Sequence, residues 1–202
     1  MIQKVMPDDY AALDLPDQWI EDAMQIYESE WIVSQLKGCK TVLELGYGAG
    51  FVTRAMVKAG LHVTTIDGSA DFCNKAIEDG ADVCLTMFED YDPVERFDCV
   101  IASFVLEHVI DPVALLKKCH QWSDRLIVVI GNANSYHRQL AVEMGLQPSL
   151  DSLSERDHKV GHYRVYSYDA LQAQLMLSGW EIMPHTMKAL QFKPLPNSMM
   201  KG

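Results

Sequence analysis

The sequence predicts an α/β fold: a doubly wound, mostly parallel sheet of seven strands with an antiparallel C-terminal edge hairpin. Three observations predict it. Short β-branched runs alternate with helix-like stretches from Thr41 onward. The links between them are brief, and the helical stretches stop on glycines, at Gly60, Gly80 and Gly179. Strand–helix–strand units with short links are right-handed crossovers, which build a parallel sheet covered on both faces.

The elements follow in order. Residues 17–37 read as a helix capped by Asp17, with Ile20, Met24, Tyr27 and Trp31 at helical spacing, and Gly38 ends it. TVLEL is the first strand and FVTRAMVKAG the next helix. HVTTID follows, then a helix capped by Ser69, then ADVCL and FDCVIAS. Asp111 and Pro112 place an N-cap before proline in the first turn of the helix VALLKKCHQW. RLIVVI is the fifth strand. Residues 132–166 read as irregular and polar. Ser167 caps a last helix, and WEIMPHTMKAL and QFKPL read as two closing strands. Pro184 puts the first of these at an edge or a bulge. The organisation is one domain over 1–202, with 1–40 as an N-terminal helical cover and 132–166 as an insertion, a lid or acceptor pocket.

Length and composition bound the function. A chain of 202 residues, 49% hydrophobic, suits a single domain with a real core. A formal net charge of −11 repels phosphate backbones and anionic lipid, so neither nucleic acid nor a membrane is an expected partner. No apolar run approaches the roughly 20 residues that span a bilayer. The first residues carry early acids and no apolar signal core, so the expected location is cytoplasmic. The five cysteines form no C-x-x-C pair and read as reduced thiols. The Cys and His residues show no metal-ligand spacing, so no metal site is expected.

The stretch LELGYGAG concentrates the chemistry. Gly46, Gly48 and Gly50 alternate after a strand that carries Glu44. Ligands of open parallel sheets bind at the carboxyl ends of the strands, where the strand order reverses. Glycines there let a ligand lie against the main chain. A dinucleotide fingerprint wants glycine or alanine at the position of Phe51, and a phosphate loop wants a lysine after Gly50. Neither is present. Asp67 ends the second strand before Gly68, where a carboxylate can accept both hydroxyls of a ribose.

LELGYGAG, TTIDGSADF and MFEDYDPVERFDCVIASFVLEHVIDPVALL, in this order, resemble the class I S-adenosylmethionine-dependent methyltransferases. The likeness is to their bacterial small-molecule branch and covers roughly residues 40–131. It implies a Rossmann-like methyltransferase fold, S-adenosylmethionine as cofactor and S-adenosylhomocysteine as product. By that resemblance Glu44 steadies the glycine turn, and Gly46 and Gly48 lie under the methionine moiety. Asp67 binds the ribose, and Phe88 and Glu89 border the adenine. Ser103 and Phe104 close the pocket, and Tyr47, Gly50 and Gly68 complete the set. Two positions depart from the family. Met87 stands where relatives often carry a short acid. Tyr47 replaces a small residue, its ring set either on the methionine chain or toward solvent.

Transfer from a sulfonium needs a general base only where the acceptor must lose a proton. The expected acceptor is a small molecule, and an anionic one is matched by the insertion. That segment holds His137, His158 and His162, and its four Lys/Arg balance four acids in an otherwise negative chain. The candidate catalytic residues are His137, His162 and His108, the last beside Glu107 in the loop after the fourth strand. Tyr136, Tyr163 and Arg164 are the candidate acceptor contacts. A dimer contact is the competing role for the insertion, and both monomer and homodimer stay open. Two other functions stay open as well: a binding module without transfer, and an NAD-dependent oxidoreductase on a related sheet.

Overall fold

The structure, a computed structural model, describes residues 18–183, with side chains described from residue 22 onward. Asp17, the expected first cap, lies outside these residues. Helix α1 (Gln18–Gln35) precedes strand β1 (Thr41–Leu45), α2 (Phe51–Lys58), β2 (His62–Asp67), α3 (Ala70–Glu78) and β3 (Asp82–Leu85). Then come β4 (Cys99–Ser103), α4 (Pro112–Trp122) and β5 (Leu126–Val129), followed by α5 (Tyr136–Glu143), α6 (Glu155–Lys159) and α7 (Tyr168–Leu177).

The described sheet has five strands, all parallel, in the order β3-β2-β1-β4-β5. The chain moves outward from β1 to β3, then crosses back to β4 on the other side of β1. The order therefore reverses between β1 and β4, and the glycine turn after β1 stands at that point. Alternation along the strands explains why both faces are covered. Leu43, Leu45, Val100 and Ala102 pack on one side with Leu116, Trp122, Tyr166 and Trp180. Val42, Cys99 and Ile101 pack on the other with Ile32, Leu36, Val52 and Met56. A period of two sends neighbours to opposite faces, so a strand buried on both sides reads as one apolar run.

Local signals set the helix ends. Ser69 accepts from the N–H of Phe72 at 3.4 Å, Asp111 from Ala114 at 3.0 Å and Ser167 from Ala170 at 3.2 Å. Gly60, Gly80 and Gly179 carry positive φ just past their helices.

Two expectations are corrected or bounded here. Residues 132–166 are not irregular: they form α5 and α6, and an isolated bridge pairs Asn132 with Tyr166 in parallel. Ser154 and Asp157 make a reciprocal capping box that starts α6, a pattern with more order than the polar composition implied. Of the two closing strands, Trp180 instead packs on α4, its Nε1 donating to Leu116 O at 2.9 Å, and 181–183 carry no strand. Residues 184–195, where the hairpin was expected, lie outside the described residues.

Candidate functional site

The turn after β1 is built from backbone. Gly46 N donates to Ile66 O at 2.8 Å, so the ladder with β2 runs one residue past the strand. Gly46 has φ 76°, and a Cβ placed there would lie 3.8 Å from Phe88 Cζ, 3.8 Å from Val105 Cγ2 and 4.0 Å from an Asp67 carboxylate oxygen. One glycine thus faces the ends of β2, β3 and β4 together. Gly48 has open space around it.

Asp67 is buried and holds the turn with both oxygens. Its Oδ2 accepts from Tyr47 N at 2.9 Å, and its Oδ1 accepts from Ser69 N at 2.8 Å across Gly68. Both donors are backbone amides, so the carboxylate is fixed before any ligand arrives. Below it, Glu44 is 2% exposed and its Oε2 accepts from Thr53 at 2.5 Å and Thr65 at 2.9 Å. Burial pushes its carboxyl up to about 7, against the two hydroxyl bonds that favour the ionised form.

Tyr47 takes neither expected position. Its ring is 7% exposed and folds back over Gly50, packing near Phe72, while its hydroxyl donates to Asp79 at 2.7 Å. Arg54 closes the same corner, pairing with Asp79 at 2.9 Å and donating to Ala49 O at 3.0 Å. Gly50 has φ 75°, a backbone that favours glycine, and a Cβ there would come within 2.3 Å of the Tyr47 hydroxyl, so the Tyr47 and Arg54 side chains would have to move. What Tyr47 offers the site is its backbone N–H.

Phe88 is half-buried against the core face that includes Val105, whereas Glu89 is exposed. The carbonyl of Glu89 accepts from Lys118. Ser103 ends β4. Phe104 follows with φ 54°, the only non-glycine residue with positive φ among the described residues. Such a backbone is costly for a bulky residue and turns the chain sharply at the mouth of the site.

The loop beyond Phe104 and the insertion are joined. Tyr163 N donates to Glu107 O at 2.8 Å. The Arg164 guanidinium donates to the carbonyls of Leu106 and Ile110 at 3.0 Å each, and to that of Val109. Arg164 therefore anchors the insertion to this loop rather than offering its charge to an acceptor. The rings of His108 and His162 meet edge to face with centroids 4.6 Å apart. His162 Nδ1 lies 2.8 Å from Asp157 Oδ1, and Arg138 lies 3.5 Å from the other Asp157 oxygen. Bonds from His162 and Ser154, set against burial, hold the Asp157 carboxyl well below the usual carboxylate range. Burial, and then the neighbouring His162, push His108 down to about 3, so its ring is neutral. Burial pushes Glu107 up to about 7, and its Oε2 is buried without a hydrogen-bond partner.

Candidate ligand atoms of Glu107, His108 and His162 all lie within 4.8 Å of one another. The fold thus assembles a metal-capable group that spacing along the chain gave no reason to expect. His137 is not in it. That side chain is buried at the start of α5, with Nε2 3.5 Å from Ser135 Oγ. Tyr136 is 57% exposed. Sequence reasoning also missed Val105, Asp79, Arg138 and Asp157. Only Asp157 had a local signal, the S-x-x-D spacing from Ser154.

The sequence profile of a family described as a methyltransferase domain matches residues 23–185. Ubiquinone biosynthesis O-methyltransferases of Bradyrhizobium diazoefficiens and Actinobacillus pleuropneumoniae are 38% and 35% identical over 88 and 92 residues. Those stretches are 39% and 40% of this chain but only 33% and 39% of the relatives, so the match spans little more than a third of their length. A magnesium protoporphyrin IX methyltransferase from Synechocystis, solved with bound SAH, superposes with a TM-score of 0.59 at 18% identity, covering 79% of this chain and 73% of that one. A possible histamine N-methyltransferase from Thermotoga maritima gives 0.59 at 18%, covering 78% and 70%. At such identity these two establish the fold. Among the described residues, no helix is long and apolar enough to cross a membrane.

Proposed function

The chain belongs to the methyltransferase-domain family, and we propose that it transfers a methyl group from S-adenosylmethionine to a small-molecule acceptor. The observation that carries this reading is the convergence at Gly46. Asp67, Phe88 and Val105 surround a position that only a glycine leaves empty, at the point where the strand order reverses. That arrangement supports a ligand with a diol for the carboxylate and a flat ring beside Phe88. The related structures solved with SAH support the same ligand.

In this reading Gly46, Gly48 and the N–H groups of the turn receive the aminoacyl part, and Asp67 receives the ribose. Gly50 and Gly68 serve by shaping backbone, and Glu44 serves from beneath. Phe88 and the main chain at Glu89 flank the base, while Ser103 and Phe104 shape the exit toward the acceptor. The sulfonium already carries its leaving group, so orientation supplies most of the acceleration, roughly 7–11 kcal/mol in favourable intramolecular cases. The acceptor sits between the loop after β4 and the insertion, beside His108, His162 and Tyr163. The family match gives no support to the oxidoreductase or to a module without transfer.

The test is calorimetric titration, followed by turnover. S-adenosylmethionine and S-adenosylhomocysteine are expected to bind one to one, and NAD(H) to give no heat. With a panel of phenols, amines and carboxylates, S-adenosylhomocysteine is expected to accumulate for at least one class. NAD(H) binding with no response to either sulfur compound overturns the reading.

A further inference from the structure

We propose that Glu107, His108 and His162 form a binding site for one divalent transition-metal ion of the zinc or manganese kind, which clasps the insertion to the loop after β4. This goes beyond the methyl-transfer reading and does not depend on it. Four observations carry the proposal. The three candidate ligand atoms already lie within 4.8 Å of one another. Ligand atoms held at about 2.1 Å in tetrahedral positions stand about 3.4 Å apart, so binding requires these side chains to draw together by up to about 1.4 Å. Glu107 is 4% exposed, and its buried Oε2 has no hydrogen-bond partner, which is costly unless a cation or donor arrives.

The third observation concerns His162. Its Nδ1 is engaged by Asp157 at 2.8 Å, so Nε2 is the nitrogen left for an ion. A carboxylate behind a histidine fixes the tautomer and ring direction of metal-bound imidazoles. Asp157 is itself held by Ser154 at 2.7 Å and by Arg138 at 3.5 Å, so the support is rigid. The fourth is placement. Tyr163 N and the Arg164 guanidinium already dock the segment around His162 onto the loop that carries Glu107 and His108. An ion completes a junction the backbone has prepared.

Two imidazoles with one carboxylate suit zinc, manganese or iron better than magnesium or calcium, which prefer oxygen throughout. Three protein ligands also leave a coordination position for water or an acceptor hydroxyl.

Untagged, metal-stripped full-length protein is titrated with zinc, manganese and magnesium chloride by calorimetry, without cofactor. One equivalent of zinc is expected to bind, and magnesium to give no measurable heat. Asp157→Asn is expected to weaken zinc by about 10–100-fold, the usual effect of losing a supporting carboxylate. Glu107→Gln and His162→Ala are expected to abolish stoichiometric binding. His62→Ala, at the opposite end of the sheet, is expected to match the parent. The five cysteines are a competing zinc trap, so nitrogen-15 spectra of the imidazoles are recorded in parallel. Zinc is expected to shift His108 and His162 alone. Unshifted imidazoles in the parent overturn the proposal even if a variant fails to fold. So does stoichiometric binding that survives Glu107→Gln and His162→Ala. Because no cofactor or acceptor is present, a negative result leaves the methyltransferase reading intact.

Discussion

Two glutamates at the carboxyl ends of neighbouring strands meet burial in opposite ways. Glu44, under the glycine turn, spends one oxygen on two threonine hydroxyls. Glu107, in the loop after β4, keeps an oxygen buried with no partner. Burial pushes both carboxyls to about 7. The first belongs to a region whose polar groups close on themselves: Asp67 on two amides, Tyr47 on Asp79, Arg54 on Ala49. The second belongs to a region whose supporting groups are fixed around a buried carboxylate oxygen without a partner. A buried polar network that is fully satisfied rigidifies a fold, and a buried group left without a partner costs stability. The turn is a finished frame; the junction of loop and insertion is where chemistry has room to vary.

The largest expected effect breaks the finished frame. Asp67→Ala removes the expected ribose acceptor and leaves the buried N–H groups of Tyr47 and Ser69 without their carboxylate. Two charge-assisted bonds to the ribose are worth roughly 1.5–3 kcal/mol each, so cofactor affinity is expected to fall about 10²–10⁴-fold. Unlike a rim residue, this one also supports the fold, and thermal stability is expected to drop as well. Calorimetry and melting on the same sample check both. Affinity that is unchanged in a less stable protein would place the ribose elsewhere and leave Asp67 purely structural.

The next effect compares the two glutamates directly. Burial raises the folded pKa of Glu44 to about 7, well above the usual carboxylate range. A raised carboxyl binds its proton more tightly folded than unfolded, so its stabilisation is full below the unfolded pKa and is lost as pH rises through the folded one. Glu107 contributes a loss in the same window. Glu44→Gln keeps an acceptor for Thr53 and Thr65 but cannot ionise. The variant is expected to lose about 3 kcal/mol less stability than the parent between pH 4.5 and 8. Denaturant melts across that range check it. Parallel curves for the two proteins would mean that folding does not raise the pKa of Glu44.

These two regions also differ in how far they were legible. The glycine turn, Asp67 and the five described strands follow from short-range signals: glycine spacing, β-branched runs, caps at Ser69, Asp111 and Ser167. Nothing local predicts the direction of the Tyr47 ring, because Asp79 and Arg54 reach it from other elements. Likewise Arg164 read as a spare cation for an acceptor, since its carbonyl partners lie in a distant loop. His108 and His162 stand far apart in sequence, and only the docking of the insertion brings them together. Composition saw polarity in 132–166; it could not see that Asp157 and Arg138 spend that polarity internally.

The smallest expected effect tests that docking. Arg164 donates to three carbonyls of the loop that also carries Glu107 and His108. A planar guanidinium can meet several acceptors at once, which a lysine ammonium on a flexible stem cannot reproduce. Arg164→Ala is expected to cost about 2 kcal/mol, part of each charged bond being replaced by water at this partly exposed edge. Arg164→Lys is expected to recover less than half of that. The loss should be confined to the junction. Hydrogen exchange is expected to quicken at Tyr163 and through residues 155–164, while β1 and β2 exchange as in the parent. Cofactor affinity is expected to stay within a few-fold, because the turn and Asp67 make no bond to Arg164. Turnover is expected to fall further than affinity, as His162 loses its place beside His108. Exchange that quickens equally across the sheet would mean the two regions are one cooperative unit, and the contrast between finished frame and open junction would fail.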